Sequence, residues 1–374
     1  MNRYTLNPRR GWGSILEAQG FSFHTRETGP YWDESAAYSF SGKDVSILER
    51  ATEELQQLCL KAAQFILDQE LFDELRIPEI ARPLIRDSWE RETPSVYGRF
   101  DLAYNGKSEP KLLEYNAQTP TSLLEAAAIQ WLWKEDVRSR NDQFNSIEPK
   151  LQAQWKECRP YIKGQLYFSS LDNAEDRATV DYLASLAESV GFRTSHITLE
   201  RIGWLNHRFV DEADVPMNTI FALYPWEWLM SEQGEKIADG FQSTMWLEPT
   251  WKMLWSNKAL LPILWRLFPG HPNLLESYLD GPRAMTSYVR KPIYSREGAN
   301  ISVIDAIPVA KTEGLYGSEG FVYQKLASLS HFDGKHAVIG SWYITDQGPA
   351  GVGVRESNGL ITDNTARFVP HFLE

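Results

Sequence analysis

Hydrophobic positions recur at helical spacing in two stretches of the chain. Within residues 44–75 the recurring positions are Ile47, Leu48, Ala51, Leu55, Leu58, Ala62, Phe65 and Ile66. This pattern predicts one long amphipathic helix over 44–75. A second helix is predicted from Ser122 to about Lys134, with an apolar side made of Leu123, Leu124, Ala127, Ala128 and Trp131. Ser122 is its predicted N-cap, with Glu125 as the capping-box partner.

Two shorter stretches, 96–104 and 111–116, alternate between apolar and polar residues and read as the arms of a β-hairpin. Asn105-Gly106 lies between them, and an Asn-Gly pair in this position is a strong hairpin signal. Side chains alternate between the two faces of a strand. The alternation therefore predicts a core-facing side made of Phe100, Leu102, Leu113 and Tyr115.

The opposite side of this hairpin is polar and carries Arg99, Asp101, Glu114 and Asn116. Two carboxylates and an amide oxygen on one face suit Mg²⁺, which usually takes one or two protein carboxylates and completes its shell with water and phosphates. A solvated outer face is the alternative interpretation. Asp and Asn are depleted in strands, which weakens that alternative without excluding it.

The central part of the chain predicts a small parallel sheet. Residues 165–169, 194–199 and 219–224 have strand character, and 175–190 predict a helix that ends at Gly191. This alternation is typical of a βαβ unit. No G-x-G-x-x-G accompanies it, so the dinucleotide fingerprint is absent. Glycine-rich strand signals return at 288–292, 321–325, 337–343 and 351–355.

Composition narrows the class of protein. The 374 residues carry a net charge of −12, which argues against a general nucleic-acid binder because phosphate contacts need clustered Lys and Arg. No apolar run approaches the roughly 20 residues of a membrane helix, and no secretory signal is visible. Cys59 and Cys158 lie in predicted helices and form neither a disulfide framework nor a zinc pattern. We therefore expect a reduced, cytoplasmic protein.

The C-terminal third carries candidate phosphate-binding residues. Lys258 and Lys291 suit that role as compact charges, although each alone could be a surface lysine. The small-residue run 293–301 could lay backbone N–H groups over phosphates, or be an ordinary hairpin turn. Residues 323–325 could offer alternating backbone groups to adenine, or be plain strand residues. Arg355, within a glycine-rich strand, could stabilise charge on a transferring phosphoryl group.

Several separated motifs, in this order, resemble the synthetase domain of the glutathionylspermidine synthase family, a branch of the ATP-grasp ligases. The resemblance covers nearly the whole chain and rests on Arg99-Phe-Asp101, Glu114-Tyr-Asn-Ala-Gln-Thr-Pro-Thr121, Ser256-Asn-Lys258, Arg290-Lys-Pro-Ile-Tyr-Ser-Arg-Glu-Gly298, Val322-Tyr-Gln324 and Gly351-Val-Gly-Val-Arg-Glu-Ser357. It implies an α/β or α+β protein with a permuted ATP-grasp fold. The expected parts are residues 1–159 with the metal-binding hairpin, an inserted, pre-ATP-grasp-like α/β subdomain at 160–248, and residues 249–374 with the nucleotide-binding lysines and loop.

The resemblance also implies roles for individual residues. The Mg²⁺ ions, two by analogy with the family, would be held by Asp101, Glu114 and Asn116. The catalytic arginines would be Arg99, Arg296 and Arg355. ATP would be bound by Lys258, Lys291, Ser295, Gly298, Tyr323, Gln324 and Lys325, with 293–300 as a covering loop.

Substrate residues are implied less directly. Thr119 and Thr121 keep the hydroxyls of the family's thiol-peptide site, but Ser122 stands where that site has a cysteine. The amine would be bound by Glu175 and Asp176, although acidic residues are also favoured at a helix N-terminus because of the helix dipole alone. The amidase domain of the bifunctional family members has no counterpart in this sequence.

These features together predict an ATP-dependent acid–amine ligase that works through an acyl phosphate. The expected partners are a peptide or amino-acid carboxylate and a polyamine-like amine. No nucleic acid or membrane partner is expected, and the oligomeric state stays open, a dimer included. Two rivals are kept: an ATP-binding protein without ligase activity, and a carbohydrate-binding or carbohydrate-active protein. The 14 tryptophans motivate the second rival, although core packing is their default role.

Overall fold

The computed structural model describes residues 1–374 as a mixed α/β protein. Its α-helices are α1 (Trp12–Glu17), α2 (Gly42–Asp68), α3 (Arg82–Glu90), α4 (Gln130–Val137), α5 (Ile147–Cys158), α6 (Ala174–Ser189), α7 (Trp226–Gly240) and α8 (Leu260–Leu267). Short 3₁₀ turns lie at Leu71–Asp73, Glu79–Ala81, Leu199–Arg201 and Thr250–Leu254, and a π-helical turn at Glu125–Ile129. No helix combines the length and the apolar character needed to span a bilayer.

The strands are short and numerous. They are β1 (Asn2–Thr5), β2 (Thr25–Arg26), β3 (Gly29–Pro30), β4 (Ala36–Phe40), β5 (Tyr97–Ala103), β6 (Lys111–Asn116), β7 (Leu166–Ser170), β8 (Thr194–Thr198), β9 (Gly203–Leu205), β10 (Arg208–Val210), β11 (Thr219–Ala222), β12 (Met245–Leu247), β13 (Ser277–Tyr278), β14 (Ser287–Pro292), β15 (Ser302–Asp305), β16 (Ile307–Lys311), β17 (Phe321–Lys325), β18 (Ser330–Phe332), β19 (Lys335–Ile344), β20 (Gly348–Ser357), β21 (Arg367–Val369) and β22 (His371–Leu373).

Three sheets position the site. The largest has the order β21-β20-β19-β5-β6, with β18 also paired to β19. It joins the predicted N-terminal hairpin to strands from the end of the chain. A second, antiparallel sheet has the order β13-β17-β14-β15-β16. The third is the predicted parallel sheet, with the order β12-β11-β7-β8.

The parallel sheet shares its core with the rest of the protein. The Tyr97 ring of β5 lies between Phe221 of β11, at a centroid distance of 6.3 Å, and Trp342 of β19, at 6.0 Å. The division of the chain into parts 1–159, 160–248 and 249–374 therefore stays a prediction, because aromatic packing continues from one proposed part to the next. Four of the 14 tryptophans that motivate the carbohydrate rival are buried in a second apolar cluster: Trp226, Trp246, Trp251 and Trp255.

The first predicted helix is correct in kind and wrong at its end. Helix α2 begins at Gly42, where Ser41 and Asp44 form a capping box, and it ends at Asp68 rather than at residue 75. Glu70 adopts a left-handed backbone with φ of 54°, which stops the helix, and the apolar residues beyond it form a separate 3₁₀ turn. Periodicity alone does not reveal such a stop.

The predicted capping box of the second helix is wrong. Ser122 has a left-handed φ of 67°, and the side chains of Ser122 and Glu125 instead bind the hydroxyl of Tyr31, at 2.9 Å and 2.6 Å. The helix that follows opens with the π-helical turn and continues as α4. A distant tyrosine thus takes the two polar groups that the local pattern assigned to a cap.

Candidate functional site

The hairpin is formed as predicted, but a bulge changes its core face. Asp101 pairs with Glu114 while Leu102 pairs with Leu112, so Leu113 is the extra residue. Leu112 consequently takes the core position predicted for Leu113, and Leu113 instead lines a pocket. The bulge lies next to Glu114 and so helps to aim its carboxylate.

The polar side of the hairpin is not a solvated surface. Arg99 is 4% exposed and Asp101 2% exposed, which excludes the alternative of an outer face. Arg99 Nε donates to Asp101 Oδ1 at 2.7 Å, and Arg99 Nη1 donates to the Thr121 carbonyl at 2.5 Å. Burial opposes the charge of Arg99, but Asp101 and Glu114 together outweigh burial, and the pKa of the guanidinium is raised.

A glycine makes room for this arginine. Gly340 of β19 lies opposite Asp101, and a Cβ added there would be 2.8 Å from Arg99 Cδ. Arg355 of β20 reaches over the same strand, and its Nη2 donates to Asp101 Oδ2 at 2.6 Å. Two glycines of β20 itself also permit close approach, here by other parts of the same chain. Gly351 and Gly353 make room for Phe144 and Phe368 of the same chain.

Glu114 lies among three cations. Lys258 Nζ is 3.2 Å from Glu114 Oε2, and Lys291 and Arg355 are close enough to act on the same carboxylate. Burial disfavours its charge, but these cations overcome burial and hold the pKa of Glu114 well below its usual range. Burial also lowers the pKa of Lys291 to about 8, against the opposing effect of Glu114.

Asn116 completes the oxygen-rich group. Its Nδ2 lies 3.3 Å from Asp101 Oδ2 and 3.4 Å from Glu114 Oε1. Amide oxygen and nitrogen are interchangeable by a flip of the side chain, so two carboxylates and one amide oxygen converge here. No group of three His, Cys, Asp or Glu side chains forms a protein-only metal site. The donor set suits Mg²⁺ that takes its remaining ligands from water and phosphate.

Two cavities meet at this cluster. A cleft of about 430 Å³ runs between the hairpin, the parallel sheet and the segment 293–300. A smaller pocket of about 100 Å³ lies beside it, with a largely apolar wall that includes Val289, Val303 and Val338. Glu114, Lys258 and Arg355 line both cavities. An apolar chamber therefore opens directly onto a cluster of cations and carboxylates.

The predicted adenine residues do not line either cavity. Tyr323, Gln324 and Lys325 lie in β17, an internal strand between β13 and β14, and the Lys325 N–H already donates to the Glu276 carbonyl. Gln324 is buried and accepts from Lys291 Nζ at 2.7 Å. The pocket wall is formed instead by Leu326, Ala327 and Leu329. The role of residues 323–325 in seating adenine stays a prediction, and the residues at the pocket are the ones that follow this strand.

Residues 293–300, which we call the covering segment, connect β14 to β15 beside the cleft. The Ser295 carbonyl accepts from Lys258 Nζ at 2.5 Å. Gly298 has a φ of 71°, and a Cβ there would be 2.9 Å from the Thr362 carbonyl, so the position requires glycine. Arg296 Nη1 donates to Thr119 Oγ1 at 3.2 Å.

The predicted substrate residues divide into two groups. Thr119, Thr121, Glu175 and Asp176 line the cleft, whereas Ser122 does not. Ser122 is buried against Tyr31, because its left-handed backbone turns the side chain toward that ring. Glu125 accepts a hydrogen bond from the same Tyr31 hydroxyl. Burial and the charge of Glu175 raise the pKa of Glu125 to about 7.

Glu175 and Asp176 lie in the first turn of α6. Arg26 Nη2 is 3.2 Å from Glu175 Oε2, and Asn173 caps the helix by accepting from the Asp176 N–H at 2.9 Å. Burial raises the pKa of both carboxyl groups. Their positions fit both an ammonium site and a helix N-terminus. Sequence reasoning missed three neighbours, Arg26, Tyr31 and Glu227, which no local motif marks.

The family comparison covers almost all of the chain. Residues 3–374 match the model described as "Glutathionylspermidine synthase preATP-grasp". The "Putative acid--amine ligase" of Haemophilus influenzae is 36% identical over 375 residues, covering 95% of this chain and 94% of that protein.

Two longer relatives are matched over about half of their length. Trypanothione synthetase of Crithidia fasciculata is 32% identical over 80% of this chain and 50% of its own. The bifunctional glutathionylspermidine synthetase/amidase of Escherichia coli is 28% identical over 78% of this chain and 52% of its own. The chain belongs to the glutathionylspermidine synthase family.

Proposed function

We propose that this protein is an ATP-dependent acid–amine ligase that forms an amide bond through an acyl phosphate. The observation that carries the proposal is the meeting of two cavities at Glu114, Lys258 and Arg355. One cavity is a mainly apolar chamber of the kind that seats a base, and the other has room for two further substrates. A nucleotide lying across both would bring its phosphates to the cations.

Unpaired donors around the junction support phosphate binding. Ser295 Oγ, Arg296 Nε and Arg355 Nε are buried and have no hydrogen-bond partner. Buried polar groups are normally paired, so three donors without partners at one site favour an anionic ligand. Lys258 and Lys291 would face the phosphates from the other side. The adenine would lie against Leu326 and its neighbours on the pocket wall.

Asp101, Glu114 and Asn116 would hold Mg²⁺, two ions by analogy with the family. Bound there, Mg²⁺ would neutralise charge on the phosphates. Arg99 and Arg355 supply fixed positive charge beside the same carboxylates. Phosphoryl transfer depends mostly on positioning and on charge stabilisation. This site supplies both with groups that the fold already holds in place.

The proposed reaction has two steps. An oxygen of the substrate carboxylate attacks the γ-phosphorus of ATP, and ADP leaves with the electrons of the broken P–O bond. The amine nitrogen then attacks the acyl carbon of the acyl phosphate, inorganic phosphate leaves, and the nitrogen releases a proton. Arg99, Arg296 and Arg355 would stabilise the transferring phosphoryl group and the leaving phosphate.

Both substrates would occupy the large cleft. Thr119 and Thr121 line it and would face the carboxylate substrate, a peptide or an amino acid. Glu175 and Asp176 also line it and would attract a polyamine-like amine. The named relatives make glutathionylspermidine or trypanothione, which motivates these classes. The fold proposed with this function is a permuted ATP-grasp, with 160–248 as its inserted part.

The test is phosphate release from MgATP in the presence of paired acids and amines, with the mass of the product determined. We expect release that needs both partners and a product lighter by one water than their sum. In a parallel assay, MgAMPPNP should raise the melting temperature and a metal-free analogue should do so less. An unchanged melting temperature would contradict nucleotide binding. Stabilisation without release for any pair would favour an ATP-binding protein that has lost ligation.

A further inference from the structure

Glu227 is a partly buried acid that contacts the covering segment from another part of the chain. It lies in the first turn of α7, and its side chain is only 11% exposed. Arg296 Nη2 of the covering segment donates to Glu227 Oε1 at 2.5 Å. Glu227 does not line the cleft, whereas Arg296 does. The arginine therefore lies between this carboxylate and the substrate space.

The rest of the covering segment is anchored elsewhere. The Tyr294 hydroxyl donates to the Arg76 carbonyl at 2.7 Å, Ser295 bonds to Lys258, and Glu297 accepts from Asn364 at 2.5 Å. None of these partners belongs to the parallel sheet or its helices. The Glu227–Arg296 pair is thus the salt bridge that ties the covering segment to that unit.

The aromatic residue beside Glu227 completes the seat of the arginine. The Arg296 guanidinium lies over the Trp228 ring, with its carbon 5.4 Å from the ring centroid. Nη1 is bonded to Thr119 and Nη2 to Glu227, while Nε is buried without a partner. The guanidinium is therefore fixed on two sides and keeps further N–H donors unused, the buried Nε–H among them, which is a geometry that suits an incoming anion.

We propose that Glu227 is a positioning residue that holds Arg296, and with it the covering segment, over the cleft. This inference rests on the proposed function for the identity of the anion that Arg296 meets. Because Glu227 comes from the unit that carries Glu175 and Asp176, the pair couples closure of the nucleotide side to the amine side of the cleft. Removing the carboxylate releases Arg296 and the tie between the segment and that unit, and it changes no side chain that would contact the nucleotide.

Hydrogen exchange of the backbone amides at 293–300 tests the pair in the protein without ligand. We expect exchange in Glu227→Gln to be roughly tenfold faster than in the unaltered protein, because opening of the segment loses a charged contact. Arg296→Gln should give a similar increase, and adding Glu227→Gln to Arg296→Gln should change little more. Glu235→Gln, on the exposed side of the same helix, is the matched control and should leave exchange unchanged.

The affinity for MgAMPPNP gives the second readout. We expect Glu227→Gln to weaken binding several-fold while its melting temperature stays close to that of Glu235→Gln. Equal exchange rates in Glu227→Gln and the unaltered protein, or additive effects of the two changes, would overturn the proposal. The exchange measurement needs no nucleotide, so failure of MgAMPPNP to bind any variant would instead count against the proposed function.

Discussion

Arg355 Nη2 donates to Asp101 Oδ2 at 2.6 Å, although 254 positions separate the two residues along the chain. The contact crosses β19, which lies between their strands. The partners differ in exposure: the Asp101 side chain is 3% exposed and that of Arg355 is 21% exposed. Asp101 also holds the buried Arg99. The two partners should therefore respond differently to removal.

Asp101→Ala should destabilise the protein strongly, and Arg355→Met only slightly. Loss of Asp101 leaves Arg99 buried without its carboxylate, which costs about 3–5 kcal/mol of unfolding free energy. Loss of Arg355 leaves Asp101 paired with Arg99 and should cost about 1 kcal/mol or less. Both changes should suppress phosphate release. Urea unfolding and phosphate assays on the two variants check this, and equal destabilisation would contradict it.

Glu114→Gln should make nucleotide binding less dependent on Mg²⁺. The Glu114 carboxylate offsets the positive charges of Lys258, Lys291 and Arg355. Its loss should leave these cations repelling one another and so lower the melting temperature of the protein without nucleotide. ATP without metal should then restore more stability than it does in the unaltered protein, because its phosphates replace the missing charge. Phosphate release should fall by about 100-fold or more.

Thermal melts with ATP alone and with MgATP measure this effect. Glu109→Gln is a suitable control, since Glu109 is paired with Arg50 on the surface. If Glu114→Gln turned over ATP at the rate of the control, Glu114 would not be a metal ligand.

Nucleotide affinity should decrease as pH rises above about 8, because burial lowers the pKa of Lys291 to about 8. Phosphates favour the charged lysine, so binding must be accompanied by proton uptake wherever the free protein has a neutral Lys291. Lys291→Arg stays charged throughout and should flatten the pH dependence. Calorimetry in buffers of different ionisation enthalpy would reveal the uptake. Identical pH profiles for the two proteins would contradict this assignment.

The sequence predicts local structure here better than it predicts contacts. Alternation and Asn105-Gly106 place Arg99, Asp101, Glu114 and Asn116 on one hairpin face, because both signals act within about 20 residues. Whether that face is exposed to solvent depends on its pairing with strands from the end of the chain, and no local pattern specifies that pairing. The bulge at Leu113 is equally hidden, since it arises from pairing between strands and not from either strand alone.

The substrate end of the site shows a second limit. Ser122 and Glu125 have the spacing of a capping box, and a local interpretation is reasonable. Tyr31, about 90 residues earlier, takes both side chains. The same is true of Arg296, whose partner Glu227 has no motif of its own. Long-range partners decide the roles of these residues, and one sequence does not reveal them.

Glu125→Gln should remove a pH-dependent loss of stability. Burial and Glu175 raise the pKa of Glu125 to about 7, above its unfolded value of about 4.3. Between these values the folded protein binds more protons than the unfolded chain, so stability falls as pH rises through this window. The unaltered protein should lose roughly 3 kcal/mol between pH 4 and pH 8 that the variant keeps. Urea unfolding at both pH values measures the difference, and parallel curves would contradict it.

Gly340→Ala should impair the site while leaving the fold largely intact. A Cβ at this position would be 2.8 Å from Arg99 Cδ and 3.3 Å from Arg99 Nε, so the arginine must move away from Asp101. The neighbour is a side chain rather than backbone, and we expect a stability cost of about 1–3 kcal/mol. Phosphate release should fall more than this cost implies, because a misplacement of about 1 Å near reacting groups can cost about 100-fold.

Gly42→Ala is the matched control for this change. Gly42 begins α2 and has no atom within 4 Å of the added Cβ, so alanine there should preserve both stability and phosphate release. If Gly340→Ala released phosphate as fast as Gly42→Ala, the contact between Arg99 and Asp101 would not be needed for the reaction. A large loss of release with a small change in unfolding free energy would instead identify the glycine of β19 as the residue that lets Arg99 reach its place.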